Sequence, residues 1–321
     1  MNFIFRKSSR LVLTSILVFL LLGITSCNQN TTANEDTVAS AEQKIGVLLV
    51  NHGSRSETWR KTLFELEDQV RDQILADGSV KGVKTAHMEY TEPSIASRMK
   101  EFDKEGYTDV IIIPIFLTVS PHPFEDIPTI IGQKSNPESV EELRMEKIER
   151  YTPKARTYIT PLLDFTNILQ KNILRRAMAL SKDPANEGIV LIGYGDVTYD
   201  KEWGELFAEI AKYTTTEIGI SEYSYGWCGH IVHYDPKETT IAVNKVLDKK
   251  KTALVIPVLV AVDENFQNQV IPDGIKKVKN HKERVIYKPD GILPDPNIEE
   301  WILDVTKEYT QKIKNNTIAK K

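Results

Sequence analysis

The sequence predicts an α/β fold of two tandem homologous lobes, each a parallel sheet flanked by helices, with a cleft between them. Three observations carry that expectation. Apolar strand-like runs alternate with amphipathic helical stretches from residue 44 onward, the βαβ rhythm of a parallel sheet. The pattern then restarts: Gly188-Ile-Val-Leu-Ile-Gly-Tyr-Gly195 repeats Gly46-Val-Leu-Leu-Val-Asn-His-Gly53, 252–260 repeats 109–117, and Ile271-Pro272 repeats Ile127-Pro128. The offsets are 142 at His52/Tyr194, 143 at Pro114/Pro257 and 144 at Ile127/Ile271. So small a drift marks an internal duplication. Finally, 321 residues exceed what one compact core usually holds.

The N-terminus reads separately. Arg6, Lys7 and Arg10 precede the apolar run 11–24, which ends in Ile24-Thr25-Ser26-Cys27. A basic region followed by a short apolar run is an export signal, too short to be read first as a spanning helix. Small residues before Cys27 resemble a lipobox. The reading is a signal peptide over 1–26, with Cys27 the lipidated first residue of a membrane-anchored lipoprotein facing the periplasm of a bacterial envelope. Residues 27–43 are polar and read as a flexible tether. Only Cys228 remains, so no disulfide within the chain is expected. Removing the three basic residues of the signal from a total of 41 leaves 38 against 45 acidic. That balance argues against a nucleic-acid partner.

In the first lobe, 44–184, the run 46–51 reads as a strand and 57–75 as a helix, with Trp59, Leu63, Leu66, Val70 and Ile74 at helical spacing. A second strand is expected over 80–90 and a helix over 93–102. The run 109–118 is the most apolar of the mature chain and reads as a central strand. Helices follow over 124–131 and 138–149, then a strand at 155–159 and a long helix at 162–180. The second lobe, 185–316, repeats the scheme, and 317–321 is a tail.

Ligands of open parallel sheets sit outside the carboxyl ends of the strands. Three such ends in lobe one carry chemistry. His52 ends the first, with Gly53 allowing a tight exit and Ser54 able to cap the next helix. The second ends in His87-Met-Glu-Tyr-Thr-Glu-Pro93, where Glu89 is the candidate, Glu92 a helix N-terminal charge and His87 a structural residue. The third runs into Pro121-His122-Pro123. His52, Glu89 and His122 can converge on one edge. Two imidazoles and a carboxylate suit a divalent transition metal, and equally suit proton abstraction near neutral pH.

Lobe two keeps the scaffold and loses these groups. Tyr194 replaces His52, Asn265 or Phe266 replaces His122, and Val232 is expected near the Glu89 position. Tyr225 and Trp227 offer aromatic surface for a flat apolar ligand. His230, His233 and Cys228 lie nearby and read as structural.

The segments Leu48-Leu-Val-Asn-His-Gly-Ser-Arg55, Met88-Glu-Tyr-Thr-Glu-Pro-Ser-Ile95, and Ile113-Pro-Ile-Phe-Leu-Thr118 with His122 and Asp126-Ile-Pro128 resemble the CbiX family, the sirohydrochlorin cobaltochelatases and ferrochelatases of the class II chelatase superfamily. The resemblance covers the whole mature domain, specific in lobe one and weak in lobe two. It implies ATP-independent insertion of Co2+ or Fe2+, as substrate, into a tetrapyrrole such as sirohydrochlorin. It places the functional residues at His52, Glu89 and His122. Sirohydrochlorin bears many carboxylates, so rim cations are required, with Arg55 and Arg98 the candidates. No Gly-rich phosphate loop is present, in accord with a reaction without nucleotide. The chain departs from the family in having Asn51 where glycine is usual, in a longer loop before His122, and in its export signal. Two other readings stay open: a haem, tetrapyrrole or metal carrier without turnover, and a bilobal solute-binding lipoprotein.

Overall fold

The computed structural model describes residues 43–116, 122–162, 165–195, 199–229 and 235–316. The signal peptide, Cys27, all of the tether but its last residue, the tail, and Val232, His230 and His233 lie outside the described residues. Among the described residues, no helix is long and apolar enough to cross a membrane.

The first half runs β1 (Ile45–Asn51), α1 (Glu57–Leu75), β2 (Val80–His87), α2 (Ile95–Lys104), β3 (Asp109–Pro114), a π-helical turn (His122–Asp126), α3 (Ile127–Ile130), α4 (Pro137–Met145), β4 (Arg156–Ile159) and α5 (Phe165–Leu180). The second runs β5 (Glu187–Gly193), α6 (Asp200–Ile218), β6 (Glu222–Trp227), α7 (Pro236–Leu247), β7 (Thr252–Pro257), a second π-helical turn (Phe266–Val270), α8 (Ile271–Lys276), α9 (His281–Arg284), β8 (Val285–Tyr287) and α10 (Pro296–Lys314). The two sheets have the orders β2-β1-β3-β4 and β6-β5-β7-β8, every pairing parallel. The duplication seen in the sequence is thus a duplication of topology, turn for turn.

Each central strand is buried on both faces, as parallel strands are. Ile45, Val47 and Leu49 point one way, and Leu48 and Val50 the other. The outer face of sheet one packs on α2, α3 and α4, with Met99, Phe102, Ile127, Ile130 and Leu143 wholly or nearly wholly buried. The outer face of sheet two packs on α7 and α8. The inner faces share a single core that runs through both lobes.

That shared core contains an exchange that helical periodicity could not reveal. Helix α5 follows the first sheet in sequence but packs on α6 and β7 of the second. Helix α10 closes the chain by packing on α1 and β3 of the first. The packing units therefore differ from the sequence halves 44–184 and 185–316 by a reciprocal swap of last helices, and the described residues close into one unit. Buried Asn172 of α5 donates to the Ile292 carbonyl (3.1 Å) and to Asp295 Oδ2 (2.5 Å), and Arg176 pairs with Asp290. Asp295 caps α10 by accepting from the Asn297 amide at 2.7 Å, as an N-cap aspartate should. One buried carboxylate thus starts α10 and anchors α5.

Candidate metal centre

The residues expected at the strand ends arrive there through the sheet's own hydrogen bonding. Beyond β1 and β2 the ladder continues. The Met88 amide donates to the Asn51 carbonyl and the Glu89 amide to the His52 carbonyl, both at 2.9 Å. His52 and Glu89 are thereby fixed side by side. Gly53 follows at φ +92°, where a Cβ would fall 2.2 Å from the Glu89 carbonyl oxygen, so only glycine fits. The Gly53 amide donates to Asn51 Oδ1 at 3.1 Å, and the same oxygen accepts from His87 Nδ1 at 2.7 Å. His87 is fully buried, and burial, reinforced by the Arg60 and Arg98 charges, pushes its pKa down to about 4. It is a neutral scaffold residue that braces the His52 turn through Asn51. Ser54 does not cap α1; Ser56 does, accepting from the Trp59 amide at 3.1 Å. Ser54 instead donates to Asp263 Oδ2 of the other lobe at 2.8 Å, and Ser56 meets Glu264 at 2.5 Å.

His122 opens the first π-helical turn. Its Nδ1 meets Asp126 Oδ2 at 2.7 Å, four residues on. The carboxylate accepts a hydrogen bond from Nδ1–H, which leaves the Nε2 lone pair for a ligand. His52 Nδ1 contacts the Gly53 carbonyl at 3.2 Å, giving the same tautomer. The His52 and His122 rings stand edge to face with centroids 4.9 Å apart. His52 Nε2 lies 4.0 Å from Glu89 Oε1. One ligand atom from each of the three residues lies within 4.8 Å of the others. Ligand atoms on opposite sides of one such ion stand roughly 4.2 Å apart at bond lengths of ~2.1 Å, so small side-chain rotations close the set on a cation.

Glu89 is only 7% exposed. Burial raises its pKa to about 7; the facing Glu146 carboxylate adds to the rise and His122 opposes it. Glu146, just past α4, is itself raised by burial. Phe116 supplies an apolar wall, its ring 6.4 Å from His52 and 6.1 Å from His122. The site thus combines two imidazoles with a buried carboxyl group that changes charge near neutrality. That donor set fits Fe2+, Co2+, Ni2+ or Zn2+.

Sequence reasoning missed Asp126, Glu146 and Tyr90. The His122/Asp126 spacing was visible, but its meaning depends on a π-helical turn that no local pattern announces. Tyr90 adjoins Glu89, and its ring centroid lies 5.8 Å from that of His52. The Arg55 guanidinium sits over the same ring at 5.2 Å. Arg98 is engaged elsewhere, donating to the Thr85 carbonyl at 2.9 Å and pairing with Glu101. Tyr225 and Trp227 are half-buried. Two apart on β6, they share the face that α6 covers, and they pack with Trp203 and Phe207 in the shared core. Trp227 Nε1 donates to Asp200 at 3.1 Å.

The copy in lobe two shows what the scaffold alone requires. The Gly229 amide meets the Tyr194 carbonyl at 3.2 Å, as the Glu89 amide meets that of His52. Gly229, not Val232, therefore occupies the Glu89 position. Tyr194 and Phe266 stand edge to face at 5.2 Å, repeating the His52–His122 contact without ligating nitrogens. Cys228 is fully buried, and burial pushes its thiol pKa up, so it is an inert core residue.

Since Asp126 holds the tautomer of His122, Asp126→Asn should fold normally and lose about ten- to a hundredfold in Co2+ affinity. Calorimetric titration of Co2+ checks this; an unchanged affinity would show that His122 orients itself without the carboxylate.

The family model CbiX matches residues 46–179. The sirohydrochlorin cobaltochelatase of Methanococcoides burtonii is 34% identical over 103 residues, 31% of this chain and 71% of the relative. That of Methanosarcina barkeri is 31% identical over 94 residues, 29% of this chain and 69% of the relative. Among solved structures, SirB from Bacillus subtilis with Fe3+ superposes with a TM-score of 0.60 at 19% identity, covering 85% of this chain and 98% of that one. The sirohydrochlorin chelatase SirB from Bacillus subtilis subspecies spizizenii, in complex with cobalt, gives 0.58 at 18% identity over the same shares. At these identities the structural likeness is one of fold. Joined to the sequence matches over the first lobe, it leads to one conclusion: the chain belongs to the CbiX family.

Proposed function

We propose that this protein is a metal chelatase that inserts Co2+ or Fe2+ into a tetrapyrrole of the sirohydrochlorin type without ATP, as a lipoprotein held by Cys27 at the periplasmic side of a bacterial membrane. The convergence of His52, Glu89 and His122 carries the catalytic reading; relatives named sirohydrochlorin cobaltochelatase support the substrate. The basic region, apolar run and Ser26-Cys27 junction support the address.

The reaction exchanges two pyrrole protons for one divalent cation. The Nε2 atoms of His52 and His122 present lone pairs to the incoming metal. Glu89, poised at about 7, takes the two pyrrole protons in turn onto a carboxylate oxygen as the metal passes to the ring nitrogens, handing the first to water before it accepts the second. A base with a pKa near the working pH is the most effective one. Burial beside Phe116 strengthens each of these electrostatic contacts.

The test is anaerobic incubation of the full chain with sirohydrochlorin and Co2+ or Fe2+, followed by absorbance. Many metallated rings per protein support the enzyme; a single stoichiometric equivalent would reduce it to a carrier. Cells grown with labelled palmitate should label the parent protein and not Cys27→Ser, and an unlabelled parent would contradict the lipid anchor.

A further inference from the structure

We infer that Tyr90 and Arg55 form a second, ring-edge subsite beside the metal-binding triad, in which the tyrosine ring supports a planar macrocycle and the guanidinium pairs with one of its peripheral carboxylates. This deepens the proposed function and rests on it.

Four observations meet at Tyr90. Its backbone has φ +69°, and the Thr91 amide closes a three-residue turn onto the Glu89 carbonyl at 2.9 Å. A bulky residue at positive φ in such a γ-turn is strained, and such strain persists where the surroundings impose it, often at functional sites. The turn does not bury the ring: Tyr90 is 45% exposed, among the larger exposed apolar surfaces of the protein. The chain therefore holds an aromatic ring in an unfavourable backbone conformation without gaining a core contact from it. The ring lies against His52, and its hydroxyl faces the Glu89 carboxylate. Arg55, exposed and without a carboxylate partner among the described ion pairs, lies over the ring.

An exposed aromatic face bordered by a guanidinium suits a flat, anionic, conjugated ligand. The face gains dispersion and stacking contact, and the planar cation pairs with carboxylate in two-point fashion. The contact to His52 sets that ligand's edge next to the triad, so its centre can approach the metal. Glycine is the natural residue at φ +69°. That a tyrosine stands there is what points to the ring.

Fluorescence titration of the full-length protein with metal-free sirohydrochlorin reads the subsite directly. Tyr90→Gly, which relieves the backbone strain, should keep a thermal midpoint close to the parent's and weaken binding about tenfold, the scale of one good stacking contact. Tyr90→Phe should bind like the parent. Arg55→Ala should weaken sirohydrochlorin binding about tenfold, as loss of one charge-assisted contact does, with a much smaller effect on a porphyrin lacking carboxylates. In steady-state metallation Tyr90→Gly and Arg55→Ala should raise KM by a larger factor than they lower kcat. Parent-like affinity in both Tyr90→Gly and Arg55→Ala would overturn the subsite while leaving the chelatase reading intact. Failure of the parent protein itself to bind sirohydrochlorin would overturn the function, and the subsite with it.

Discussion

Alanine at His52 or at His122 lowers the metallation rate by at least about a thousandfold, close to 4 kcal/mol of barrier, and leaves the fold intact. Either change removes an Nε2 lone pair from a set of three whose ligand atoms lie within 4.8 Å of one another. Neither ring belongs to the buried cores, so unfolding half-points should move little. The sharper comparison lies inside the same chain. Tyr194→Phe alters the equivalent position of lobe two while preserving its edge-on contact with Phe266, and should leave the rate at the parent's level. Initial rates of absorbance change with sirohydrochlorin and Co2+ measure all three. A His52→Ala protein that retained even a tenth of the parent's rate would remove the imidazoles from the chemistry.

Glutamine at Glu89 should do two opposite things. The carboxyl group has a pKa of about 7 in the folded chain against an ordinary value near 4.5. Between those values the unfolded chain has already released the proton that the folded chain still holds. Stability therefore falls as pH rises through this window, and the loss is complete above it. At 1.36 kcal/mol per pH unit the gap amounts to about 3 kcal/mol. Glu89→Gln cannot ionise, so the metal-free variant should be more stable than the parent by about 2–3 kcal/mol at pH 8 and equal to it near pH 4. The same change removes the proton acceptor and should slow metallation about a hundredfold or more, the usual worth of a general base. Urea unfolding with a chelator present, at both pH values, reads the first effect. A variant no more stable than the parent at pH 8 would show that burial does not strain this carboxylate. The pair of outcomes describes a residue kept at the expense of stability.

Much of this was legible in the sequence, for identifiable reasons. Buried parallel strands write continuous apolar runs, so β1, β3, β5 and β7 and their polar exits could be located. The duplication then separated scaffold from chemistry, because Gly195 was kept where His52 became Tyr194. Other features depend on three-dimensional relations that no local pattern records. Amphipathic stripes on α5 and α10 say that each helix covers a sheet, not which sheet. Tyr225 and Trp227 were legible as aromatic strand-end residues, but only the location of α6 shows how far they are covered. Asp126 and Glu146 reach the site through a π-helical turn and the residue that ends α4. Asn51, read as a departure from the family, has a partner in buried His87. The two together brace the turn that presents His52.

The exchange of α5 and α10 has a consequence for how the molecule is made. The layer that covers β1 and β3 includes α10, which is synthesised after all eight described strands. Until 296–314 have been synthesised, one face of the first sheet lacks its cover, although every strand of that sheet was complete by residue 159. Folding of the first lobe is thus tied to the synthesis of α10, through its packing on α1 more than two hundred residues earlier. Such distant closures are slow and leave apolar surface open while they wait. A premature stop before residue 296 strips the first sheet of part of its inner cover, so the second half of the chain also carries a wall that the first half needs.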